Sequence, residues 1–333
     1  MRPDPSSFTR TPQQPPPIPP VQATPFRWSV MIPVYNCASY LAQTLESVLI
    51  QALPPDEMQI EVLDDASTDA DVEKLVFEIG KGRVHYFRQP QNVGSLHNFN
   101  TALCRAMGEY VHLLHGDDVV LPGFYKEIAQ LFQCFPEAGM AFCRYLYLDE
   151  AGKVLYPAEL EAEKPGLLSH WLERLAARQR VQTPAVVVKR RLYEQLGGFY
   201  GVHYGEDWMM WIRIAQQFPV AYSPVLRAAY RRHIHSISGR TARSGADMRD
   251  IRYVIRWMKR GAGLPAALYR RTMPQARRFY AHYALQTAHQ LWHQRAGIRA
   301  TLAQLRQACL LHPGSLLHAY AWKLYVKILC QLH

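Results

Sequence analysis

From Trp28 to Phe135 the chain alternates between two rhythms. Short apolar runs at residues 29–33, 59–63, 84–87 and 110–114 have the length and content of buried strands. Residues 38–51, 71–79, 96–107 and 124–135 instead space their apolar side chains at helical intervals, as Leu41, Leu45, Val48 and Leu49 do in the first of them. Strand–helix alternation of this kind predicts an α/β fold, a mostly parallel sheet with helices on both faces. Ligands in such sheets bind beyond the carboxyl ends of the strands.

Those ends are unusually polar. They read Pro33-Val34-Tyr35-Asn36, then Asp64 to Asp69, then Gln91 to Ser95, and finally Gly116-Asp117-Asp118. Each taken alone is ordinary: Asn36 and Ser67 as helix caps, Asn92-Val93-Gly94 as a turn, Asp117-Asp118 as a surface turn before Pro122. Four on one edge of one sheet would converge on a single crevice. Adjacent carboxylates at the end of a buried strand repel each other unless a cation lies beside them, so a cation is expected at Asp117 and Asp118.

The flanks differ from this alternating stretch. Residues 1–26 hold nine prolines and are expected to be a disordered or polyproline leader outside the fold. Residues 240–333 read as a helical region with 16 Lys and Arg against 2 Asp, whereas residues 1–239 carry 22 basic and 25 acidic residues. The net charge of +11 therefore belongs to the C-terminal third and suggests an anionic partner there. A hydrophobic content of 49% with 20% charged residues describes a folded chain. No apolar run reaches membrane-spanning length, and no signal-like pattern opens the sequence. The six cysteines form no CxxC pair and are read as reduced core residues, which predicts a cytoplasmic protein.

Seven segments, WSVMIPVYN, EVLDDASTD, NVGSLHNFN, YVHLLHGDDVVLPGFY, TPAVVVKRRLYEQLGGF, GEDWMMWIRIA and YRRHIHSIS, fall in an order and spacing that resemble the nucleotide-sugar-dependent glycosyltransferases of family 2, of the cell-envelope polysaccharide type. The resemblance runs from Trp28 to about Ser238. It implies a GT-A, Rossmann-like domain over residues 27–239 with a C-terminal helical extension. It further implies an inverting, metal-dependent transfer of a sugar from a UDP- or dTDP-sugar to a hydroxyl of a glycan or lipid-linked acceptor.

Site roles follow from the same resemblance. Pro33, Tyr35 and Asp65 match base-recognition positions, and Asn36 belongs to the same donor-binding loop. Asn92 and Gly94 match the loop that closes on the nucleotide. Asp117 and Asp118 match the acidic motif that holds Mg²⁺ or Mn²⁺ against the donor diphosphate, carboxylate oxygens being suited to hard cations. Asp207 matches the general base, with Glu206 as the alternative. His233 matches a histidine near metal and diphosphate, and His235 stands where a small residue is usual. Asp65, Asp117 and Asp207 are expected to line one crevice.

Three departures from the family pattern stand out. His115 occupies the place of a further Asp, Phe99 the place of an Arg, and Ala66 the place of a Gly. With no Arg at Phe99, the diphosphate falls to other cations, Arg231 or Arg232. Ala66 is expected to be a mild change if its backbone is ordinary.

A catalytically silent nucleotide-sugar or glycan-binding protein is the competing class; Asp207 argues against it, because a silent relative has no need of a base. A nucleotidyltransferase would show a Gly-rich, basic loop after the first strand, and NAD chemistry a G-x-G-x-x-G; neither occurs. Basicity alone is a weak pointer to nucleic acid, and none is expected. Basic helical surface with interspersed Trp and Tyr suits peripheral contact with the anionic inner face of the plasma membrane.

Overall fold

The computed structural model describes residues 12–22, 25–317 and 319–330. Its strands are β1 (Phe26–Val34), β2 (Met58–Asp64), β3 (His85–Arg88), β4 (Gly108–Leu113), β5 (Val119–Val120), β6 (Met140–Leu148), β7 (Val154–Pro157), β8 (Gly166–Leu167), β9 (Val186–Lys189) and β10 (Val220–Arg231). The helices are α1 (Ala38–Leu49), α2 (Val72–Gly80), α3 (Ser95–Arg105), α4 (Phe124–Cys134), α5 (Trp171–Ala177), α6 (Arg190–Leu196), α7 (Glu206–Ala215), α8 (Ile237–Ser244), α9 (Ala246–Arg260), α10 (Ala266–His293), α11 (Ile298–Leu311) and α12 (Ala319–Cys330). All eight elements expected between residues 29 and 135 are present, within a few residues of their expected bounds.

The chain groups into two compact units. The first comprises residues 1–171, 181–201 and 213–232, and the second residues 172–180, 202–212 and 233–333. Three short stretches of the resembling region, residues 172–180, 202–212 and 233–238, thus group with the C-terminal helices.

The first unit is built on one mixed sheet of order β3-β2-β1-β4-β9-β6-β10-β5, with β7 on β6 and β8 on β10. Strands β3, β2, β1 and β4 run parallel, as the alternation predicted; β9 then enters antiparallel between β4 and β6. In parallel register Val34 lies beside Asp64, and Asp64 beside Arg88. The expected polar ends therefore do sit together on one edge. Strand β5 pairs with Ala228 and Ala229 of β10, and a small core of Val119, Leu148 and Ala229 closes behind the Asp117-Asp118 turn.

The proline-rich leader departs from expectation. Residues 12–22 lie as a strap along the first unit. Pro12 and Pro16 carbonyls accept from Gly201 and Gly198, the Pro19 carbonyl from Arg190, and Glu194 accepts from the Val21 amide. Ile18 is 3% exposed. A proline-rich segment lacks most of its own N–H donors, so its carbonyls are the groups that bond to the domain. Gly198 is required for this close approach, because a Cβ there would collide with Asn100 and meet Pro16. Residues 1–11 of the leader lie outside the described residues.

In the second unit α9, α10 and α11 pack on one another, burying Ile251, Val254, Ile255 and Met258 from the first. Gly297, at φ 96°, separates α10 from α11. The spacing of Ile298, Leu302, Leu305 and Cys309 predicts one apolar face for α11, and the inward face differs from it. Thr301, Gln304, Leu305, Ala308 and Leu311 are buried, while Ile298 and Leu302 face solvent. Buried Gln304 explains the shift, since its amide caps the Ala242 carbonyl and bonds Asp247.

Candidate functional site

Three loops at the polar edge are tied together by side chains. After β1, Asn36 adopts φ +49°, its amide donates to Ser67 Oγ and its side-chain oxygen accepts from Thr68 N at 2.8 Å. It is therefore a clamp between two loops and not a helix cap. The first-turn amide of Ala38 is instead satisfied by Asp69 across the gap. Pro33 is buried at the end of β1, and Tyr35 projects from it, 39% exposed.

The two acids after β2 divide their work. Asp64 is wholly buried and accepts from Ser67 N, Tyr86 Oη and Arg88. Asp65 reaches the third loop: Oδ1 accepts from Val93 N at 2.7 Å and Oδ2 from Gly94 N at 2.9 Å, while Asn92 donates to its carbonyl. Burial raises the Asp65 pKa, and the two amide bonds counter that rise. Gly94, at φ 84° and ψ 158°, occupies backbone space that essentially only glycine enters. Ala66, directly after these acids, has φ +58°, so the expected mild replacement of glycine is in fact a strained one.

The acidic motif follows β4. His115, Asp117 and Asp118 each offer a ligand atom within 4.8 Å of the others. Asp118 is completely buried; its Oδ1 accepts from Arg231 N at 2.8 Å, but Oδ2 has no hydrogen-bond partner among the described residues. Burial, and next the neighbouring charge of Asp117, push the Asp118 pKa well above the usual carboxylate range. A buried carboxylate oxygen without a donor, beside a second carboxylate, fits a cation and little else.

His115 lies stacked on Phe99, ring centroids 5.0 Å apart and planes 13° from parallel. Two of the three departures from the family pattern thus touch each other. Burial lowers the His115 pKa, which favours the neutral, ligating form. His112, by contrast, is structural: burial pushes its pKa down to about 3, and its ring bonds the Pro184 carbonyl.

The sequence marked Arg231 as a candidate cation for the diphosphate but did not show that it holds this motif, and it did not mark Thr44 at all. Arg231, 2% exposed, reaches from the end of β10 with Nε on the Asp117 carbonyl, its guanidinium on Gln43 and its plane over Tyr40. Thr44 of α1 donates to the carbonyls of Gly116 and Asp118. Its signal was visible, a polar residue inside the Leu41–Leu45–Val48 stripe. Arg232 is exposed and donates to Tyr156.

Glu206, Asp207, His233 and His235 fall in the second unit. Glu206 and Asp207 open α7, where the helix dipole favours negative charge. Asp207 accepts from Gln179 and from the Trp208 amide. The Gln179 amide in turn donates to Tyr280, whose ring packs on Trp208, and the Trp208 indole donates to the Leu175 carbonyl. Burial, with the Asp207 charge second, holds the Glu206 pKa well above normal. The His233 carbonyl accepts from Ser236, and His235 is exposed.

With this geometry in place, residues 29–165 match the model of the family "Glycosyl transferase family 2". That stretch matches a family 2 glycosyltransferase domain, and the mixed sheet flanked by helices matches GT-A glycosyltransferase structures in fold. Among relatives, an "uncharacterized glycosyltransferase" of Rickettsia felis is 29% identical over 194 residues, covering 57% of this chain and 30% of its own length. An uncharacterized protein of Mycobacterium tuberculosis is 29% identical over 248 residues, covering 70% of this chain and 64% of its own. The chain thus spans less than two thirds of either relative. Among solved structures, Staphylococcus aureus TarS 1-349 in complex with UDP-GlcNAc superposes with a TM-score of 0.63 at 15% identity, covering 87% of this chain and 91% of that one. The mannosyltransferase PcManGT of Pyrobaculum calidifontis, in complex with GDP-Man and Mn²⁺, gives 0.54 at 19% identity, covering 95% and 92%. These structural likenesses establish the fold.

Proposed function

We propose that the protein is an inverting, metal-dependent glycosyltransferase that moves a sugar from a nucleotide diphosphate sugar to a hydroxyl of a glycan or lipid-linked acceptor. The observation that carries this reading is the unpartnered, buried Asp118 Oδ2 beside Asp117 and His115, at the strand edge of a family 2 domain. Asp117 and Asp118 would hold a divalent cation, with His233 assigned to it from the sequence resemblance. Such an ion, when bound, supplies positive charge for the leaving diphosphate.

The remaining roles are assigned to the chain's own groups. Tyr35 offers a face for the base. Asp65 retains acceptor capacity beyond its two amide bonds, a carboxylate having about four lone-pair sites. Asn36, Asn92 and Gly94 shape the loops around it, and Arg232 supplies an exposed cation for the diphosphate. Asp207 takes the acceptor hydroxyl proton as the acceptor oxygen forms its bond to the anomeric carbon and the bond to the diphosphate oxygen breaks. Glu206, whose pKa burial holds well above the usual carboxylate range, is the second choice for that role. Gln179 orients Asp207.

The second unit supports a peripheral lipid contact. Leu310 is exposed on α11 and Trp322 and Val326 on α12, which also exposes Lys323, while Arg256 is exposed on α9 and Arg270, Arg277 and Arg278 on α10. Of the tryptophans interspersed among these cations, Trp322 is 60% exposed, whereas Trp257 is buried and offers no surface. Among the described residues no helix is long and apolar enough to cross a membrane. Binding to anionic but not to neutral vesicles, lost at high salt, is the expected result.

The function is tested by titrating UDP-, dTDP- and GDP-sugars with Mn²⁺ into the protein and into two variants. Asp117→Ala should lose metal-dependent donor binding. Asp207→Asn should keep donor affinity while losing 10²–10⁴-fold in turnover, roughly 3–5 kcal/mol. No donor binding by the parent protein would overturn the reading.

A further inference from the structure

We infer that His115 is a metal ligand, and that its imidazole, stacked on Phe99, makes the site select Mn²⁺ or Co²⁺ over Mg²⁺. The inference rests on the proposed metal site at Asp117 and Asp118. It concerns which ion that site takes.

The geometry is local to the first unit. His115 Nδ1 lies 3.8 Å from Asp118 Oδ2, too far for a hydrogen bond. Octahedral coordination with bonds of about 2.1 Å places ligand atoms about 3 Å apart at neighbouring positions and about 4.2 Å apart at opposite ones. The 3.8 Å separation falls between them, so one ion can bridge the pair. Asp118 Oδ2 has no hydrogen-bond partner among the described residues, nor has the other ring nitrogen of His115, Nε2, so that nitrogen does not commit the ring to another contact.

Phe99 supplies the orientation. A stacked ring restricts imidazole rotation without using either ring nitrogen. An arginine at that position would bring a positive charge up to the metal pocket and oppose the ion.

The donor set decides the selectivity. Mg²⁺ prefers oxygen ligands and gives up its water reluctantly. Imidazole suits transition ions, whose affinity at a mixed nitrogen–oxygen site rises from Mn²⁺ to Co²⁺. Two carboxylates with one imidazole therefore favour those ions more than three carboxylates would.

The test uses the full chain with Mn²⁺ and UDP. Pulsed electron paramagnetic resonance of bound Mn²⁺ should show a ring ¹⁴N coupling that survives His233→Ala, and in that background the coupling should vanish in both His115→Ala and His115→Asp. Calorimetry should show Mn²⁺ bound at least tenfold more tightly than Mg²⁺. His115→Asp should narrow that ratio by tenfold or more through tighter Mg²⁺ binding. Mn²⁺ that depends on Asp117 but shows no ¹⁴N coupling in the parent protein would overturn the inference and leave the metal site standing. Coupling that persists in both variants would overturn it equally, by assigning the nitrogen to another residue. Absence of any Asp117-dependent Mn²⁺ binding would overturn the site and the inference together.

Discussion

The backbone N–H of Arg231 donates to Asp118 Oδ1 at 2.8 Å, joining residues 113 positions apart in sequence. The same residue's guanidinium holds the Asp117 carbonyl and Gln43, so the end of β10 fixes both the acid and the turn that presents it.

Arg231→Lys should therefore be destabilising although it keeps the charge. A lysine cannot bond Asp117 and Gln43 together, and a lost hydrogen bond to a charged group costs about 1.5–3 kcal/mol. Urea unfolding should show a lower midpoint, and Mn²⁺ titration a weaker site.

Ala66→Gly should stabilise. Relief of a left-handed alanine is worth ~1–2 kcal/mol, and the extra freedom glycine brings to the unfolded chain returns ~0.4–1 of it. A net gain of about 0.5–1 kcal/mol should raise the urea midpoint, whereas Ala66→Val should lower it.

Gly94→Ala forces a Cβ into backbone space that costs about 1–3 kcal/mol. The Val93 and Gly94 amides cannot then both stay on Asp65. Donor affinity should fall tenfold or more by calorimetry, with the fold retained by circular dichroism.

Asp247 gives a pH signature. Burial pushes its pKa up to about 6, against the opposing bonds from Gln304 and the Met248 amide. Unfolded aspartate titrates near ~4, so between about pH 4 and 6 the folded state binds the extra proton and stability falls as pH rises. Above about pH 6 the full penalty applies, about 2–3 kcal/mol. Asp247→Asn should remove that slope, read as the difference between the two proteins' urea midpoints across the range.

The parallel half of the sheet was legible because strands buried on both faces are continuous apolar runs, as at residues 30–34. Strand β10 was not. Its course is broken at Pro224, where the register shifts between Ser223 and Leu226, and no period of two survives. Strands β7 and β8 are too short and exposed to carry a pattern. Asp65, Gly94, Asp117 and Asp118 could be picked out because strand-end chemistry is local in sequence. Arg231 and Phe99 could not be read as partners of that motif, since the contacts that define them exist only after folding. Ala66 shows a third kind of blindness: its identity was plain, but a sequence does not display the sign of φ.

The strap of residues 12–22 has a consequence for synthesis. Val21 and its partner Glu194 are 173 positions apart, so at roughly 5–20 residues per second the strap leaves the ribosome about 10–35 seconds before its seat exists. During that interval Ile18 has nowhere to go. The surrounding prolines, Pro15, Pro16, Pro17, Pro19 and Pro20, keep the waiting segment extended and deprive it of the N–H groups needed to join a sheet edge. The composition that reads as disorder is what makes the delay harmless.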